Sequence, residues 1–376
     1  MSLTSFSSST PGQSYTQADL VKILSPNIPG FVLVQTSGST GQPRTVVVSA
    51  DALRESGAAT ARFFGNKHGQ WLLTLPTNHI AGIQVLARST LAGHPVIAMD
   101  LSAGFTVASF LAACAKLSQS VTFTSLVPTQ LHRLLESPAA VRDEVVAALA
   151  SFEAILLGGA AAPGHLLQQC AALGITVVTT YGMSETAGGC VYNGAPLDVA
   201  SVRTEDPTRP SRILISGPML ASGYLEDGKL QEFSDAFFAD PNGVRWHRTN
   251  DLGVISPEGT LTVVGRADDI IISGGQNVSP NQVEQLLTGK FGLGQVCVVG
   301  VPDPTWGQRV VAVVDSSGVE CAVSENDLLD NVRRFVADNL DRSASPTQIL
   351  VMPGFPLTES GKVDRRAVTG WASTQN

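Results

Sequence analysis

Short apolar runs alternate with longer amphipathic stretches through residues 70–180. A short apolar run predicts a buried strand, and apolar positions every three to four residues predict a helix. This alternation indicates a mostly parallel sheet covered by helices, an α/β fold. The predicted strands are Trp71–Leu75, Pro95–Met99, Val121–Val127, Ala154–Leu157 and Ile175–Thr180, and the helices between them include Val107–Leu117, Thr129–Glu136, Arg142–Ala150 and His165–Leu173.

Two further strands precede this pattern. Phe31–Gln35 and Thr45–Val48 are apolar and rich in β-branched residues, which favour strands. Ser49 follows as the predicted N-cap of a helix that ends at Gly65. The segment Thr36–Gly41 between the two strands contains only hydroxyl side chains and glycines.

The pattern changes after Tyr181, where proline and glycine become frequent and the predicted strands become short. We expect an antiparallel lobe there and a compact α+β unit from Arg266 onwards, which gives domains at 1–265 and 266–376. A helix should begin at Ser279, which reads as an N-cap followed by proline. The predicted elements are strands Ile213–Ser216, Arg245–Thr249, Leu261–Val264, Val296–Val301, Arg309–Val314 and Gln348–Met352, and a helix from Ser324 to about Leu340.

Composition narrows the class of protein. The chain has 376 residues, of which 43% are hydrophobic and 15% charged, so it can bury a large core and is not disordered. Its net charge is −8 and it has no block of basic residues, which argues against nucleic-acid and anionic-membrane binding. A polyanionic ligand must therefore be bound by a local group of donors, because the overall charge of the protein does not attract it.

The sequence contains no signal for membrane insertion, secretion or cysteine pairing. No apolar run is long enough for a membrane span, and the serine-rich first fifteen residues lack the basic and apolar parts of a secretory signal. The five cysteines are scattered and form no CxxC pair, which argues against a disulfide framework or a zinc ribbon. We therefore expect a cytoplasmic protein.

The Thr36–Gly41 segment could turn backbone N–H groups and hydroxyls toward phosphate oxygens. It is not a Walker A loop, because no Lys-Ser or Lys-Thr pair follows it, and Gly361-Lys362 fails the same test because Val363 follows the lysine. A glycine-serine turn without a ligand is the alternative.

The segment Tyr181–Thr186 follows a predicted strand at its carboxyl end, the edge where open α/β sheets bind ligands. Tyr181 could stack on a base, and Glu185 could bind a hard cation. The alternatives are a solvated loop carboxylate and a nucleophile elbow on Ser184. The elbow fails because the glycine it requires is Thr186.

Three charged sites farther along the chain are candidate functional residues, but each alone is a weaker indication of function than the two segments above. Asp251 could accept hydrogen bonds from ribose hydroxyls at a strand end, but an ordinary turn aspartate is the alternative. Arg266 with Asp268 and Asp269, beside a pair of glycines, resembles a hinge. Lys362 follows a glycine on a turn that could deliver it to a site, although a lysine near a chain end is usually just solvated.

Five segments together resemble the ordered core motifs of the adenylate-forming acyl-CoA synthetase superfamily. In that superfamily a large α/β domain precedes a small mobile one, and the motifs here extend from Thr36 to Arg365. They are TSGSTGQPR at 36–44, YGMSET at 181–186, ND at 250–251, GRADD…SGGQNVSPNQVE at 265–284 and PLTESGKVDR at 356–365.

The resemblance implies a role for each matching residue, with ATP, Mg²⁺ and coenzyme A as ligands. ATP would be bound by Thr36, Ser37, Gly38, Ser39, Thr40 and Gly41 at the phosphates, by Gly159, Ala160 and Tyr181 at adenine, and by Asp251 and Arg266 at ribose. Thr186 would touch the α-phosphate, Glu185 would hold Mg²⁺, Lys362 would be the catalytic lysine and Asp268 the hinge. Ser273, Gly274 and Gly275 would border the pantetheine channel.

The chain departs from the superfamily pattern in three places. Arg44 replaces the usual lysine, Asn250 replaces the usual glycine, and the phosphate-loop motif begins as early as residue 36. The sheet that usually precedes this motif is therefore expected to be largely missing. A homodimer could cover the surface that this exposes.

The segment Leu75–Ser89 is similar to that of o-succinylbenzoate–CoA ligases of menaquinone synthesis, and the short chain resembles their actinobacterial form. This implies a substrate contact at His79, Arg88 and Gly182. Arg88 would bind the second carboxylate of the acid, and the alternative is a surface arginine lying over apolar neighbours. Other open functions are ligation of another acid, loading of a carrier protein, and nucleotide binding without activity.

Overall fold

The computed structural model describes residues 10–26, 29–36, 44–291, 293–316, 325–358 and 361–375. It divides the chain into two compact units. Unit 1 comprises Met1–Ala160, Gln168–Thr249 and Ile255–Thr262; unit 2 comprises Ala161–Leu167, Asn250–Val254 and Val263–Asn376. The predicted boundary at residues 265 and 266 stays a prediction.

The largest sheet has seven strands in the order β4-β3-β5-β6-β7-β8-β9. Strands β3 to β7 pair in parallel, and β8 and β9 continue the sheet antiparallel. Strands β3, β5 and β6 are buried at every position, as expected for central strands of a parallel sheet, and β6 (AILL) is apolar throughout. The strands are β3 Gln70–Leu73, β4 Ile97–Ala98, β5 Thr122–Leu126, β6 Ala154–Leu157, β7 Val177–Met183, β8 Gly188–Tyr192 and β9 Ala195–Pro196. The predicted parallel α/β sheet is confirmed.

Helices follow the strands in the order that the sequence predicted. The helices up to residue 172 are α1 Gln17–Ile23, α2 Ala50–Phe63, α3 Ile80–Ala92, α4 Val107–Cys114, α5 Pro128–Leu135, α6 Ala139–Ala150 and α7 Gly164–Ala172. Ser49 caps α2 as predicted, because its hydroxyl accepts a hydrogen bond from the Ala52 amide at 3.1 Å. Helix α3 is buried continuously from Gly82 to Ser89 and ends at Gly93, which has a left-handed backbone.

Two smaller sheets contain most of the predicted antiparallel lobe. One has the order β1-β2-β12-β13, with Thr36 opposite Arg44, and the other has the order β10-β11-β15-β14 with β16 beside β15. Their strands are β1 Phe31–Thr36, β2 Arg44–Ser49, β10 Ser201–Thr204, β11 Ser211–Ser216, β12 Gly223–Glu226, β13 Lys229–Gln231, β14 Phe237–Ala239, β15 Arg245–Ile255 and β16 Leu261–Arg266.

Unit 2 contains the predicted C-terminal α+β fold. Its sheet has the order β18-β17-β20-β19, and β21 pairs with β20 in parallel. The elements are β17 Ile271–Ser273, β18 Gln276–Val278, α8 Pro280–Leu287, β19 Val296–Asp303, β20 Gly307–Asp315, α9 Glu325–Asn339, β21 Gln348–Met352 and α10 Arg365–Ala372. Arg365 joins α10 to α8 through Glu284, with Nη1 and Oε1 2.6 Å apart. Helix α8 begins at the predicted cap, and the Ser279 hydroxyl accepts from the Gln282 amide.

Two strand boundaries differ from prediction. Strand β7 continues through Met183, because Tyr181–Met183 pair with β8; the YGM residues are therefore strand and not loop. Asp251 lies within β15, so the strand-end and turn expectations for it are wrong. The strand accommodates Asn250 with its carbonyl accepting a hydrogen bond from the Ala267 amide at 2.7 Å. Within the described parts of the chain, no helix has the length and apolar character that crossing a bilayer requires.

A histidine lies inside the core of unit 1. His247 on β15 is 3% exposed, its ring centroid is 4.7 Å from that of Phe237, and its Nδ1 is 3.1 Å from the Ala236 carbonyl oxygen. Because a carbonyl only accepts, Nδ1 carries the proton of the neutral ring. Burial lowers the pKa of His247 from its ordinary value; the nearby Glu185 carboxylate opposes this shift.

This burial predicts acid sensitivity. As pH falls through about 6.5, the unfolded chain gains a proton on this ring before the folded chain does, so stability present above that pH is lost. The free energy of unfolding of the native sequence should fall more steeply between pH 7 and 5.5 than that of His247→Asn, by up to about 1.4 kcal/mol per pH unit. Urea unfolding across that range measures both slopes, with exposed His68→Asn as the control. Equal slopes for the native and His247→Asn chains would contradict the argument.

Candidate active site

A carboxylate held by a buried tyrosine marks the carboxyl edge of the large sheet. Glu185 lies on the 3₁₀ turn Ser184–Thr186 directly after β7. The buried Tyr224 on β12 donates its hydroxyl to Glu185 Oε1 at 3.0 Å, and the Arg44 guanidinium lies 4.9 Å from the centre of the Tyr224 ring. Burial, followed by the Glu185 charge, raises the pKa of Tyr224, so the phenol stays protonated and donates.

A carboxylate that accepts one hydrogen bond still has lone pairs for a cation. Within the described ranges, no group of three or more His, Cys, Asp or Glu side chains comes together as a metal site. Mg²⁺ usually keeps several waters and takes one or two carboxylates plus substrate phosphates. Glu185 therefore fits Mg²⁺ that arrives with a nucleotide better than a permanently bound metal.

The turn beyond Glu185 is fixed by close backbone packing. A Cβ on Gly182 would lie 2.0 Å from the Gly188 carbonyl oxygen, so this position requires glycine whatever the ligand. The fully buried Thr186 hydroxyl accepts from the Met183 amide at 2.9 Å and lies 2.7 Å from the Gly188 carbonyl oxygen. In this structure Thr186 orders the turn, and its contact with the α-phosphate stays a prediction.

The proposed adenine residues lie at or just beyond the carboxyl ends of two neighbouring strands of the same sheet. Gly159 and Ala160 follow β6, and Tyr181 is half-buried near the end of β7, the parallel neighbour of β6. Gly159 has a positive φ of 84°, which glycine adopts without strain. The structure therefore brings these three to one edge. Residues 37–41 of the predicted phosphate loop lie outside the described residues; Thr36 is the last residue of β1.

Helix α3 places a cation in the interior of unit 1. Arg88 is 6% exposed, its Nη2 lies 3.3 Å from the Tyr192 hydroxyl, and its guanidinium carbon lies 5.1 Å from the Trp71 ring centre. The alternative of a surface arginine is therefore wrong. His79, the residue before α3, is half-buried at the helix N-terminus.

Unit 2 gathers the predicted ribose, hinge and catalytic residues. Arg266 donates to both oxygens of Asp268 at 2.9 and 2.8 Å, and its Nη1 lies 3.6 Å from Asp251 Oδ1. Lys362 is on a tight turn in which its carbonyl accepts from the Thr358 amide at 2.8 Å. The side chain as a whole is exposed, but loss of solvation lowers the pKa of its ammonium; Asp251 opposes this shift and Arg266 adds to it.

The proposed pantetheine residues form the tip of the β17–β18 hairpin. Ser273 pairs with Gln276, while Gly274 and Gly275 have φ of 58° and 78°. A Cβ on Gly274 would meet the Trp306 ring at 2.8 Å, so glycine allows this exposed aromatic ring to lie against the hairpin backbone.

Sequence reasoning missed Tyr224, Tyr192 and Thr60. Each contacts a predicted site residue, directly or through one intermediate, from a distant part of the chain. A tyrosine at a buried strand position signals that its hydroxyl needs a partner, and that is the available signal for Tyr224 and Tyr192. It does not identify the partner.

A parallel sheet with a carboxylate-bearing turn at its carboxyl edge, in a chain that continues into an α+β unit with a lysine turn, is the architecture of an adenylate-forming enzyme. Residues 24–225 match the AMP-binding enzyme family and residues 282–362 match its C-terminal domain, so the chain belongs to that family. The predicted superfamily and fold class are confirmed.

Two relatives and one solved structure within the family carry the name of the same activity. The chain is 41% identical over 339 residues to a probable 2-succinylbenzoate–CoA ligase of Mycobacterium tuberculosis, covering 90% of this chain and 83% of the relative. It is 30% identical to the 2-succinylbenzoate–CoA ligase of Listeria monocytogenes, and the match covers 89% of this chain and 68% of the relative. Among solved structures, the chain superposes with a TM-score of 0.71 on the o-succinylbenzoate CoA synthetase of Bacillus subtilis in complex with the acyl-adenylate intermediate OSB-AMP. The two sequences are 29% identical, and the match covers 90% of this chain and 68% of that structure.

Proposed function

We propose that this chain is an ATP-dependent acid–thiol ligase that converts o-succinylbenzoate to its CoA thioester for menaquinone synthesis. In the first step, the succinyl carboxylate attacks the α-phosphorus of ATP and releases pyrophosphate. In the second, the CoA thiol attacks the acyl-adenylate and releases AMP. The buried guanidinium of Arg88 is the observation that carries the choice of acid, and the named relatives support it.

The first step must bring two anions together, so catalysis consists mainly of positioning and charge neutralisation. Glu185 would hold Mg²⁺, which when bound neutralises phosphate charge. The 36–41 segment and Lys362 would supply further donors to the phosphates and the reacting carboxylate. Tyr181 would stack on adenine, and Asp251 with Arg266 would bind ribose.

The second step requires a change of surroundings at the acyl-adenylate. Asp268 would be the hinge at which the backbone changes between half-reactions, and Ser273, Gly274 and Gly275 would border the path of the thiol. Asp268 is exposed next to the last residues of β16, where a backbone change displaces little core. The homodimer remains a proposal.

Arg88 suits an acid that carries a second negative charge. o-Succinylbenzoate has an aromatic carboxylate that does not react and must enter the protein without losing all its solvation energy. A buried guanidinium offers charge-assisted and forked hydrogen bonds to such a group. His79 and Gly182 would lie beside the same acid. Other aryl or acyl acids and a carrier-protein acceptor are the competing functions.

The purified chain should catalyse ATP–pyrophosphate exchange that depends on o-succinylbenzoate and Mg²⁺. A panel should include benzoate, a medium-chain fatty acid and 4-oxo-4-phenylbutanoate, which lacks the aromatic carboxylate. We expect exchange to be strongest with o-succinylbenzoate, and a CoA thioester to accumulate on addition of CoA but not a thioester of a carrier protein. Stronger exchange with another acid would reject the substrate, and transfer only to the carrier protein would reject the ligase.

Lys362 should matter for one half-reaction. Its ammonium would contact the carboxylate and α-phosphate oxygens during adenylation only. Lys362→Ala should therefore slow pyrophosphate exchange on the order of 10²-fold or more, while presynthesised acyl-adenylate reacts with CoA at a near-normal rate. Exposed Lys67→Ala is a matched control for loss of a lysine. Equal slowing of both half-reactions would contradict the assignment.

Arg88→Ala should raise the KM for o-succinylbenzoate by roughly 10- to 150-fold, the value of one charge-assisted contact, with the KM for ATP nearly unchanged. Arg88→Lys should recover only part, because lysine lacks the forked geometry. Steady-state kinetics measures both, and thermal unfolding identifies variants that fold poorly. A folded Ala variant with the native KM would show that Arg88 is structural.

A further inference from the structure

The guanidinium of Arg88 is held by a tyrosine that no motif identifies. We propose that Tyr192 and Thr60 are positioning residues that orient Arg88 for the second carboxylate of the acid while leaving its charge unneutralised. This rests on the proposed function and adds a specificity device to it. All the side chains concerned belong to unit 1.

A chain of three hydrogen bonds fixes the direction of every hydroxyl proton. The Thr60 hydroxyl lies 3.0 Å from the Ser56 carbonyl oxygen, which can only accept, so Thr60 donates there. The Tyr192 hydroxyl lies 2.9 Å from Thr60 Oγ1 and must therefore donate to it. A lone pair of the Tyr192 oxygen is thereby turned to Arg88 Nη2 at 3.3 Å.

The three groups come from different elements and are held firmly. Thr60 is on α2 and 2% exposed, Tyr192 is on β8 and 1% exposed, and Arg88 is on α3. The Phe63 ring packs edge-on against the Tyr192 ring at 5.1 Å between centroids, and the Trp71 ring lies against the guanidinium. Rotation of the arginine head would therefore break a hydrogen bond and a cation–π contact together.

The chemical type of the partner matters. A carboxylate beside Arg88 would neutralise it, whereas the phenol oxygen of Tyr192 is a neutral acceptor that fixes orientation and leaves the full positive charge. Among the described residues, no carboxylate forms an ion pair with Arg88, and its buried Nε has no hydrogen-bond partner. A buried cation with unused donors attracts an anionic ligand, because binding relieves its cost of burial.

The selectivity of the effect separates positioning from general structural damage. o-Succinylbenzoate carries the second carboxylate, whereas 4-oxo-4-phenylbutanoate keeps only the reacting succinyl carboxylate. A defect in the orientation of Arg88 should weaken recognition of the first acid and leave the second unaffected. A defect in packing should change both acids and ATP alike.

The test uses the full chain and isosteric variants. Tyr192→Phe should raise the KM for o-succinylbenzoate roughly 3- to 10-fold, about the net value of one hydrogen bond. The kcat, the KM for ATP and the kinetics with 4-oxo-4-phenylbutanoate should remain at native values. Thr60→Val should act in the same direction, and Thr60→Ser should restore native behaviour because it keeps the hydroxyl.

Two controls make the result specific. Tyr15→Phe removes another buried phenol hydroxyl, which accepts from the Leu33 amide at 2.8 Å, and should alter thermal stability without changing either KM. In an Arg88→Ala background, Tyr192→Phe should have no further effect on the KM for o-succinylbenzoate, since the two act through one contact. Additive effects of the two substitutions would overturn the proposal.

A native KM for o-succinylbenzoate in Tyr192→Phe would also overturn it, as would equal increases for both acids. If Tyr192→Phe does not fold, Thr60→Val and Thr60→Ser decide the same question. Failure of the native chain to activate o-succinylbenzoate would instead reject the proposed function, and the inference with it. Activation by the native chain with no selective effect in the variants would reject the inference alone.

Discussion

Burial of the Arg88 guanidinium, which no carboxylate of the described residues neutralises, is the constraint on which much of unit 1 depends. An uncompensated charge in a protein interior costs several kcal/mol, and mutational loss of a partner shows how large this cost is. For Arg88, the Tyr192 oxygen and the Trp71 ring offset only part of this cost of burial. Helices α2 and α3 and strands β3 and β8 must therefore keep their mutual positions, because each contributes one of the groups around that charge.

The second demanding position is the turn that follows β7, where backbone segments approach too closely for a side chain. Gly182 faces the Gly188 carbonyl, and Ala187 is held at a φ of 49° between them. The buried Thr186 hydroxyl stabilises this turn through hydrogen bonds with the Met183 amide and the Gly188 carbonyl. Such a turn costs conformational energy, and it projects Glu185 from the edge of a rigid sheet. Tyr224 then fixes one oxygen of that carboxylate, so its position is set before any cation binds.

Buried strands and helix caps can be predicted from the sequence because interactions between residues close together in the chain determine them. The apolar run of β6 follows from burial, and the caps at Ser49 and Ser279 follow from unsatisfied helix amides. The contacts of Tyr192 with Thr60 and Arg88 join residues 132 and 104 positions apart, and no short-range pattern encodes them.

Asp251 shows a different limit of local reasoning. The polar residues before it suggested that the strand was ending, but pairing carries β15 on to Ile255. Strand length is decided by the neighbouring strand and not by local propensity, so polar residues can persist inside a sheet. The family motifs predict a role for Asp251 without revealing its place in the strand.

The charges of unit 2 balance in a way that suits a lysine acting on phosphate. Two cations, Arg266 and Lys362, are grouped with the carboxylates of Asp251 and Asp268. Both carboxylate oxygens of Asp268 accept a hydrogen bond from Arg266, which reduces the repulsion that Arg266 exerts on Lys362. Asp251 attracts Lys362 directly and favours its charged form. Lys362 is exposed as a residue, but loss of solvation at its ammonium lowers its pKa, and the nearby Asp251 carboxylate opposes this shift. A poorly solvated ammonium interacts more strongly with an incoming anion than a hydrated one does, because less water must be displaced.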